Sequence, residues 1–138
     1  MTEVKKYKML INGVWTGGTD EKFFESVNPY TGRVWCQVPE ANSQDVGSAV
    51  ESAHKAFSEG PWSEMTPTQR GVCLRRLADL LSEMSEPLGQ IETIDTGKML
   101  KETRWQAKYI AEFFHFYAGC ADKISGETLP IDKPDLVV

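Results

Sequence analysis

Residues 66–84 read TPTQRGVCLRRLADLLSEM and carry a strong signal for the start of a helix. Thr66 can cap the first turn, Pro67 suits the first helical position, and the Gln69 side chain can reach back to the capping residue. Large apolar residues then recur every three or four positions, which predicts one buried face. That face comprises Cys73, Leu74, Leu77, Leu80, Leu81 and Met84. The stretch therefore predicts a long helix packed against a core.

Two more helices are predicted after this stretch. Ser85-Glu86-Pro87 predicts a break and a restart, because proline lacks a backbone donor and is best tolerated in a first turn. The restarted helix is expected to run to Asp95, with Gly97 near its C-terminal cap. A longer helix is expected from about Leu100 to Gly119.

The longer helix is rich in aromatic residues near its end, where Phe113, Phe114, Phe116 and Tyr117 occur. At about 100° per residue these side chains spread over much of the circumference of the helix. We therefore expect more than one neighbour to cover them.

A helix is also predicted before residue 66. Asn42 and Asp45 resemble a capping box with aspartate in place of the usual Glu or Gln, and the helix should end near Gly60-Pro61. One face of this helix carries Val46, Ala49, Val50, Ala53 and Phe57.

The first forty residues predict two short β-hairpins. In the first, Asn12-Gly13 separates KMLI from VW, and Asn-Gly between apolar residues favours a tight turn. In the second, residues 28–32 (NPYTG) separate FFESV from RVWCQV, and proline with glycine predicts a turn there. The tail from Ile124 to Val138 returns to strand and turn signals and ends on an apolar run, so we expect it to be either a native terminal strand or an interrupted one.

Composition limits the classes of partner. The 138-residue chain has a net charge of -5, which disfavours nucleic acid and anionic membranes because both need a basic surface. It contains neither an apolar stretch of signal-peptide length at the start nor about eighteen apolar residues in a row, so a cytoplasmic location is expected. Three widely spaced cysteines suit reduced thiols better than disulfides.

No catalytic arrangement follows from residue spacing. His54 and His115 are the only histidines, and neither forms part of a recognisable triad. Cys36, Cys73 and Cys120 are interpreted as structural, because nothing near them in the sequence would lower a thiol pKa. The residues alone therefore indicate a globular domain with hairpins and about four helices, without a reaction.

The chain nevertheless resembles the N-terminal region of the aldehyde dehydrogenase superfamily, through an ordered set of short stretches that covers nearly all of it. The stretches are Ile11–Trp15, Phe24–Gly32, Asp45-Val46 with Ala56-Phe57, Pro61-Trp62, Arg75–Leu81, Glu92–Lys98, Phe116–Lys123 and Gly126–Pro130. No single piece decides the matter, but the order is specific.

The resemblance implies an α/β fold, namely the N-terminal part of the aldehyde dehydrogenase fold: short β-hairpins, about four helices and the start of an oligomerisation strand. Residues 1–123 would belong to the dinucleotide-binding domain, and residues 124–138 would begin the oligomerisation segment, truncated at the chain end. The family oxidises small-molecule aldehydes to carboxylic acids with NAD or NADP through a cysteine nucleophile and a glutamate base. Its members are homodimers or homotetramers.

The resemblance assigns no catalytic and no cofactor-binding residue to this chain, because in the family these residues lie further along the sequence. We therefore expect the fragment alone to be inactive. It does imply a structural Na⁺ or K⁺ site at Ser26, Val27 and Asp95, with at least one further ligand from beyond Val138. We therefore expect the site to be weak or empty in the fragment and filled in the whole enzyme. The alternative is that Asp95 hydrogen-bonds backbone amides near Thr96 and Gly97.

Two further questions stay open at this stage. Trp105, Tyr109 and Phe113 would contribute either one wall of the aldehyde tunnel or simple packing. The runner-up function, of a different class, is a free-standing helical interaction or regulatory module without catalysis.

Overall fold

A computed structural model describes residues 4–127, and in that part of the chain five strands precede five helices. The strands are β1 (Lys5–Lys6), β2 (Met9–Ile11), β3 (Val14–Thr16), β4 (Phe23–Asn28) and β5 (Arg33–Pro39). The helices are α1 (Ser43–Ser58), α2 (Pro61–Glu64), α3 (Pro67–Glu83), α4 (Ser85–Thr96) and α5 (Leu100–Cys120). The α/β class is confirmed, with α2 as a single turn beside the four predicted helices.

Both predicted hairpins are confirmed. β2 pairs antiparallel with β3, and the turn residues Asn12 (φ 50°) and Gly13 (φ 75°) adopt the left-handed conformation that this turn needs. β4 pairs antiparallel with β5, and its turn is closed by the Gly32 amide, which donates to the Asn28 carbonyl at 2.8 Å.

The strand β1 was not predicted. It pairs in parallel with β5 and gives a three-stranded sheet in the order β1-β5-β4, while β2 and β3 form a separate two-stranded sheet. Its two residues are exposed lysines, a residue type that is depleted in strands, so the sequence contains no strand signal there.

The predicted helix ends are confirmed at three places. Asn42 and Asp45 form the capping box of α1, Thr66 and Gln69 form that of α3, and Gly97 (φ 77°) caps α4 in the left-handed conformation.

The helices α3, α4 and α5 pack through small residues. An added Cβ at Gly71 would lie 2.8 Å from the Ala118 carbonyl oxygen, and one at Gly89 would lie 2.8 Å from the Arg104 amide nitrogen. Thr103 is completely buried at this crossing and donates to the Gly89 carbonyl at 2.9 Å. The buried residues of the three helices are Gly71, Ala78, Gly89, Thr103, Ala107, Ala111 and Ala118. Backbones therefore approach closely at Gly71 and Gly89, where even a methyl group lacks room.

The predicted buried face of α3 was largely wrong. Cys73, Leu77, Leu80 and Met84 are exposed, and only Leu74 and Leu81 are half-buried. The cause is the close contact with α5, which takes the Gly71 and Ala78 side of the helix and turns most of the leucines outward.

Two apolar helix faces are uncovered within residues 4–127. On α1, Val50 is 63% exposed and Phe57 is 76% exposed, while the polar side with Ser48 and Ser52 lines a cavity against the β2–β3 hairpin. On α5, the opposite side from the buried alanines carries the exposed rings of Phe113, Phe116 and Tyr117. Of the four rings that we expected several neighbours to cover, only that of Phe114 is half-buried, so the described residues do not meet the expectation for the other three.

The predicted boundary between residues 123 and 124 stays a prediction. α5 ends at Cys120, and residues 128–138, most of the expected oligomerisation segment, lie outside the described residues. Within residues 4–127, none of the helices combines the length and apolar character that crossing a membrane requires.

We predict that Gly89→Ala destabilises the chain by about 1–3 kcal/mol, because the new methyl group would meet the α5 backbone and overpack the crossing. The matched control is Gly47→Ala on the exposed side of α1, where an added Cβ meets nothing within 4 Å. That control should stabilise by up to about 1 kcal/mol through helix propensity alone. Urea unfolding followed by circular dichroism measures both, and equal effects of the same sign would contradict the packing argument.

Asp45 ties the start of α1 to the β3–β4 loop. It is buried, and it accepts hydrogen bonds from the Asn42 amide (3.0 Å), the Thr19 hydroxyl (2.7 Å) and the Thr19 amide (2.9 Å). The hydrogen bonds from the Asn42 amide and from Thr19 lower the pKa of Asp45, and partial desolvation opposes them. Because the folded pKa lies below the unfolded one, the contribution to stability is complete above the unfolded pKa of about 4 and is lost as pH falls through the folded pKa.

We predict that Asp45→Asn lowers stability at pH 7 and flattens the decline in stability below pH of about 4. Denaturant unfolding across pH 2–7 measures the effect, with Asp20→Asn as the control, because Asp20 makes only an exposed ion pair of 3.9 Å with Lys22. A plot of stability against pH for Asp45→Asn that runs parallel to that of the wild type would contradict the stabilising role of the Asp45 carboxylate.

Candidate functional site

Three polar side chains from three elements meet beside the three-stranded sheet. The Ser26 hydroxyl of β4 donates to Oδ1 of Asp95 in the last turn of α4 at 2.5 Å. The Trp35 indole Nε1–H of β5 donates to the Ser26 hydroxyl at 3.0 Å and lies 3.2 Å from the same Asp95 oxygen. We call these three residues the Asp95 cluster.

A β-bulge builds the cluster. Ser26 is paired with Cys36 and Val27 with Val34, so Trp35 is the extra residue of β5 opposite this point. A bulge re-aims side chains and interrupts the ladder of backbone hydrogen bonds. Trp35 and Cys36 consequently line the same cavity, of about 380 Å³, together with Ser26 and Asp95.

Asp95 stands where a carboxylate is normally unfavourable. The C-terminal turn of a helix carries negative partial charge on its unpaired carbonyl groups. The Ser26 and Trp35 donors offset part of that repulsion. The alternative prediction, that Asp95 accepts from the amides near Thr96 and Gly97, is wrong, because the Gly97 amide donates to the Thr93 carbonyl at 2.9 Å.

The structure thus brings together two of the three residues predicted to hold a cation. Ser26 and Asp95 are in contact, and Val27 follows Ser26 at the bulge with a side chain that is 47% exposed. Trp35 was missed by the sequence analysis. A tryptophan in an alternating strand signals only an apolar position, and a bulge leaves no mark in a single sequence.

Cys36 lies against the same cavity and is 1% exposed. Burial raises the pKa of its thiol, the negative charge of Asp95 adds to the shift, and Lys5 partly opposes it. The thiol is therefore protonated at neutral pH and unsuited to nucleophilic attack. This supports the interpretation of Cys36 as a structural residue.

The aromatic residues of α5 form a second feature. Trp105 stacks on Tyr109 with ring centroids 4.7 Å apart, and Tyr109 meets Phe113 edge-on at 5.2 Å. All three rings are exposed, and we call them the aromatic ladder. A cavity of about 450 Å³ begins at Tyr109 and Phe113 and continues past Glu112 towards the end of the helix. The ladder therefore presents an exposed aromatic surface on α5.

Two other candidate reactive groups, His115 and Lys98, have structural partners, and Cys73 has none in the described part of the chain. The His115 Nε2 atom lies 3.4 Å from Asp79 and joins α5 to α3, and the Lys98 ammonium pairs with Glu92 at 2.6 Å. Cys73 is exposed, with its sulfur free. Within residues 4–127, no three His, Cys, Asp or Glu side chains are grouped closely enough to hold a metal ion.

Comparison with known proteins gives one consistent result. A sequence profile of the aldehyde dehydrogenase family matches residues 15–138. The (Z)-2-((N-methylformamido)methylene)-5-hydroxybutyrolactone dehydrogenase of Acinetobacter baylyi is 43% identical over 96% of this chain and 27% of its own length. The mitochondrial aldehyde dehydrogenase of Rattus norvegicus is 41% identical over 94% of this chain and 25% of its own length.

Solved structures agree with the sequence comparison. The NAD-dependent aldehyde dehydrogenase of Sinorhizobium meliloti superposes with a TM-score of 0.90 at 30% identity, over 98% of this chain and 27% of that one. The NAD⁺ complex of aldehyde dehydrogenase from Bacillus cereus superposes with a TM-score of 0.88 at 39% identity, over 94% of this chain and 26% of that one. The chain spans about a quarter of the length of these relatives.

Proposed function

The chain belongs to the aldehyde dehydrogenase family, and from this we propose that it is the N-terminal quarter of an enzyme that oxidises an aldehyde to a carboxylic acid with NAD or NADP. The observation that carries the proposal is the match in register along nearly the whole chain, in sequence and in backbone. A free-standing interaction or regulatory module is not favoured, because such a module would not require this agreement with one enzyme family over 96% of its length.

The proposed role of this chain is structural support of the site. NAD or NADP supplies the hydride acceptor of the reaction. The cysteine nucleophile, the glutamate base and the cofactor site belong, in this proposal, to the part of the enzyme that this chain does not cover. The environment of Cys36 supports that division, since its thiol is buried and its pKa is raised. Assembly as a homodimer or homotetramer and a cytoplasmic location stay proposals, and several relatives are mitochondrial.

We propose further that the aromatic ladder forms one wall of the aldehyde tunnel. Aromatic rings stack well on planar, unsaturated groups, and Trp105 and Tyr109 are exposed on α5, each with one face against the other and one face left for such a group. Two relatives lend support through the compounds in their names: benzaldehyde for the Antirrhinum majus enzyme, and a methylene lactone for the Acinetobacter baylyi enzyme. A planar, conjugated aldehyde is therefore the proposed substrate class.

The proposed Na⁺ or K⁺ site consists of the Ser26 and Val27 carbonyl oxygens, an Asp95 carboxylate oxygen and at least one further ligand from the part of the enzyme that this chain does not cover. Two observations fit it. The bulge at Ser26 and Val27 interrupts the ladder where the carbonyl ligands are required, and the Asp95 carboxylate lies beside Ser26. Hard cations take oxygen ligands of these kinds. An ion there would join β4 to the end of α4 and relieve the repulsion between Asp95 and the helix dipole.

A chimera tests the proposed function. The 133 matched residues of the Acinetobacter baylyi enzyme are replaced by the corresponding residues of this chain. We expect the purified chimera to form NADH or NADPH with an aldehyde substrate, because the scaffold is interchangeable between members of one fold family. The isolated 138-residue chain and the relative without its N-terminal quarter, which serve as controls, should show none.

A folded chimera without activity would contradict the proposed function. Turnover by the isolated chain would contradict the proposal that the catalytic residues lie in the part of the enzyme that this chain does not cover.

Replacing Trp105 by Ala in the active chimera tests the aromatic ladder. If the ladder lines the tunnel, this substitution should raise KM for benzaldehyde more than KM for acetaldehyde. An equal rise in both KM values would contradict the proposed wall.

A further inference from the structure

Trp35 is held in place from two sides. It is the bulged residue of β5, so its indole is directed to the face that carries Ser26 instead of alternating away from it. On the other side, the Tyr7 ring beyond β1 contacts it edge-on, with centroids 5.9 Å apart. The indole is half-buried between these contacts. Its N–H group therefore has a fixed direction.

That direction selects one oxygen of the Asp95 carboxylate. Oδ1 accepts from the Ser26 hydroxyl and lies within hydrogen-bond distance of the Trp35 indole N–H. Within residues 4–127, no side-chain or backbone donor is bonded to Oδ2. A carboxylate held by two donors on one oxygen loses its freedom to rotate, and the other oxygen keeps its lone pairs for a ligand.

We propose that Trp35 is a positioning residue for the cation site: its indole N–H fixes Oδ1 of Asp95 so that Oδ2 is presented to Na⁺ or K⁺. The inference rests on the cation site proposed above and adds a residue that does not touch the ion. A neutral donor suits this role, because a lysine or arginine in its place would neutralise Asp95 and repel the ion.

Thermal unfolding of the 138-residue chain tests the proposal. Titrations with KCl and NaCl are compared with tetramethylammonium chloride at equal ionic strength, since that ion is too large for an oxygen cage. A ligand that binds only the folded state raises the midpoint of unfolding with concentration. We expect the small ions to raise the wild-type midpoint in a saturable way, with half the effect reached only at high salt because the further ligand lies outside this chain. Tetramethylammonium should leave the midpoint unchanged.

Three variants separate positioning from stability. In Trp35→Phe, the salt concentration that gives half of the ion-specific rise in midpoint should increase about tenfold. That factor corresponds to the loss of one hydrogen bond to a carboxylate. Asp95→Asn should abolish the effect, and Trp15→Phe, at an exposed tryptophan of β3, should preserve it. A purely structural role of Trp35 would lower the midpoint equally in all three salts and leave the half-effect concentration unchanged.

The outcomes distinguish the inference from the proposed site. Loss of the effect in Asp95→Asn with a wild-type response in Trp35→Phe would overturn the role of Trp35 alone. If the wild type shows no ion-specific effect, the cation site and the inference are both overturned. The same holds if the effect survives in Asp95→Asn.

A second measurement covers the case in which Trp35→Phe does not fold. The indole ¹H–¹⁵N resonances of the wild-type chain are followed during the KCl titration, and the peak from Trp35 is identified by selective replacement of the other three tryptophans with phenylalanine. We expect the Trp35 peak to shift with the same half-effect concentration as the midpoint while the Trp15 peak stays in place. A stationary Trp35 peak would overturn the proposal.

Discussion

The close approach of α5 to α3 and α4 is the constraint on which the rest of the structure depends. At Gly71 and Gly89 there is no room for a methyl group between one helix and the backbone of the next. Buried alanines continue the contact along α5, and the Thr103 hydroxyl donates a hydrogen bond to the Gly89 carbonyl across it. Because the small residues occupy one side of α5, most of its large aromatic residues are placed away from that side, and Phe114 is the half-buried exception.

The sheet and the helices are joined at few points, and those points coincide with the sites of interest. The Asp95 cluster connects the β4–β5 hairpin to the end of α4, and Pro29 of the hairpin turn packs where Gly97 caps the same helix. Asp45 makes the corresponding connection between the β3–β4 loop and α1. A cation at Asp95 would therefore reinforce a joint that the fold already contains, which suits a structural role.

Local signals predicted the elements, whereas contacts between elements were predicted poorly. Capping boxes, Asn-Gly and the αL glycine at 97 act within a few residues, so the helix ends and hairpins were correct. The buried face of α3 was wrong because periodicity counts large apolar residues, and this interface selects for small ones. Ser26 and Asp95 were brought together only by resemblance to the family. The bulge that recruits Trp35 could not be predicted, because register depends on the partner strand.

Native-state hydrogen exchange of the 138-residue chain tests most directly whether the small-residue crossing is the stable unit of this structure. Elements that open together share one free energy of exchange, and weakly packed elements exchange at lower free energy. The account predicts a common, highest protection for the amides of α3, α4 and α5, with lower protection for α1, whose apolar face is exposed. Equal protection of α1 and α5, or earlier exchange of the residues around Gly89 and Thr103, would contradict it.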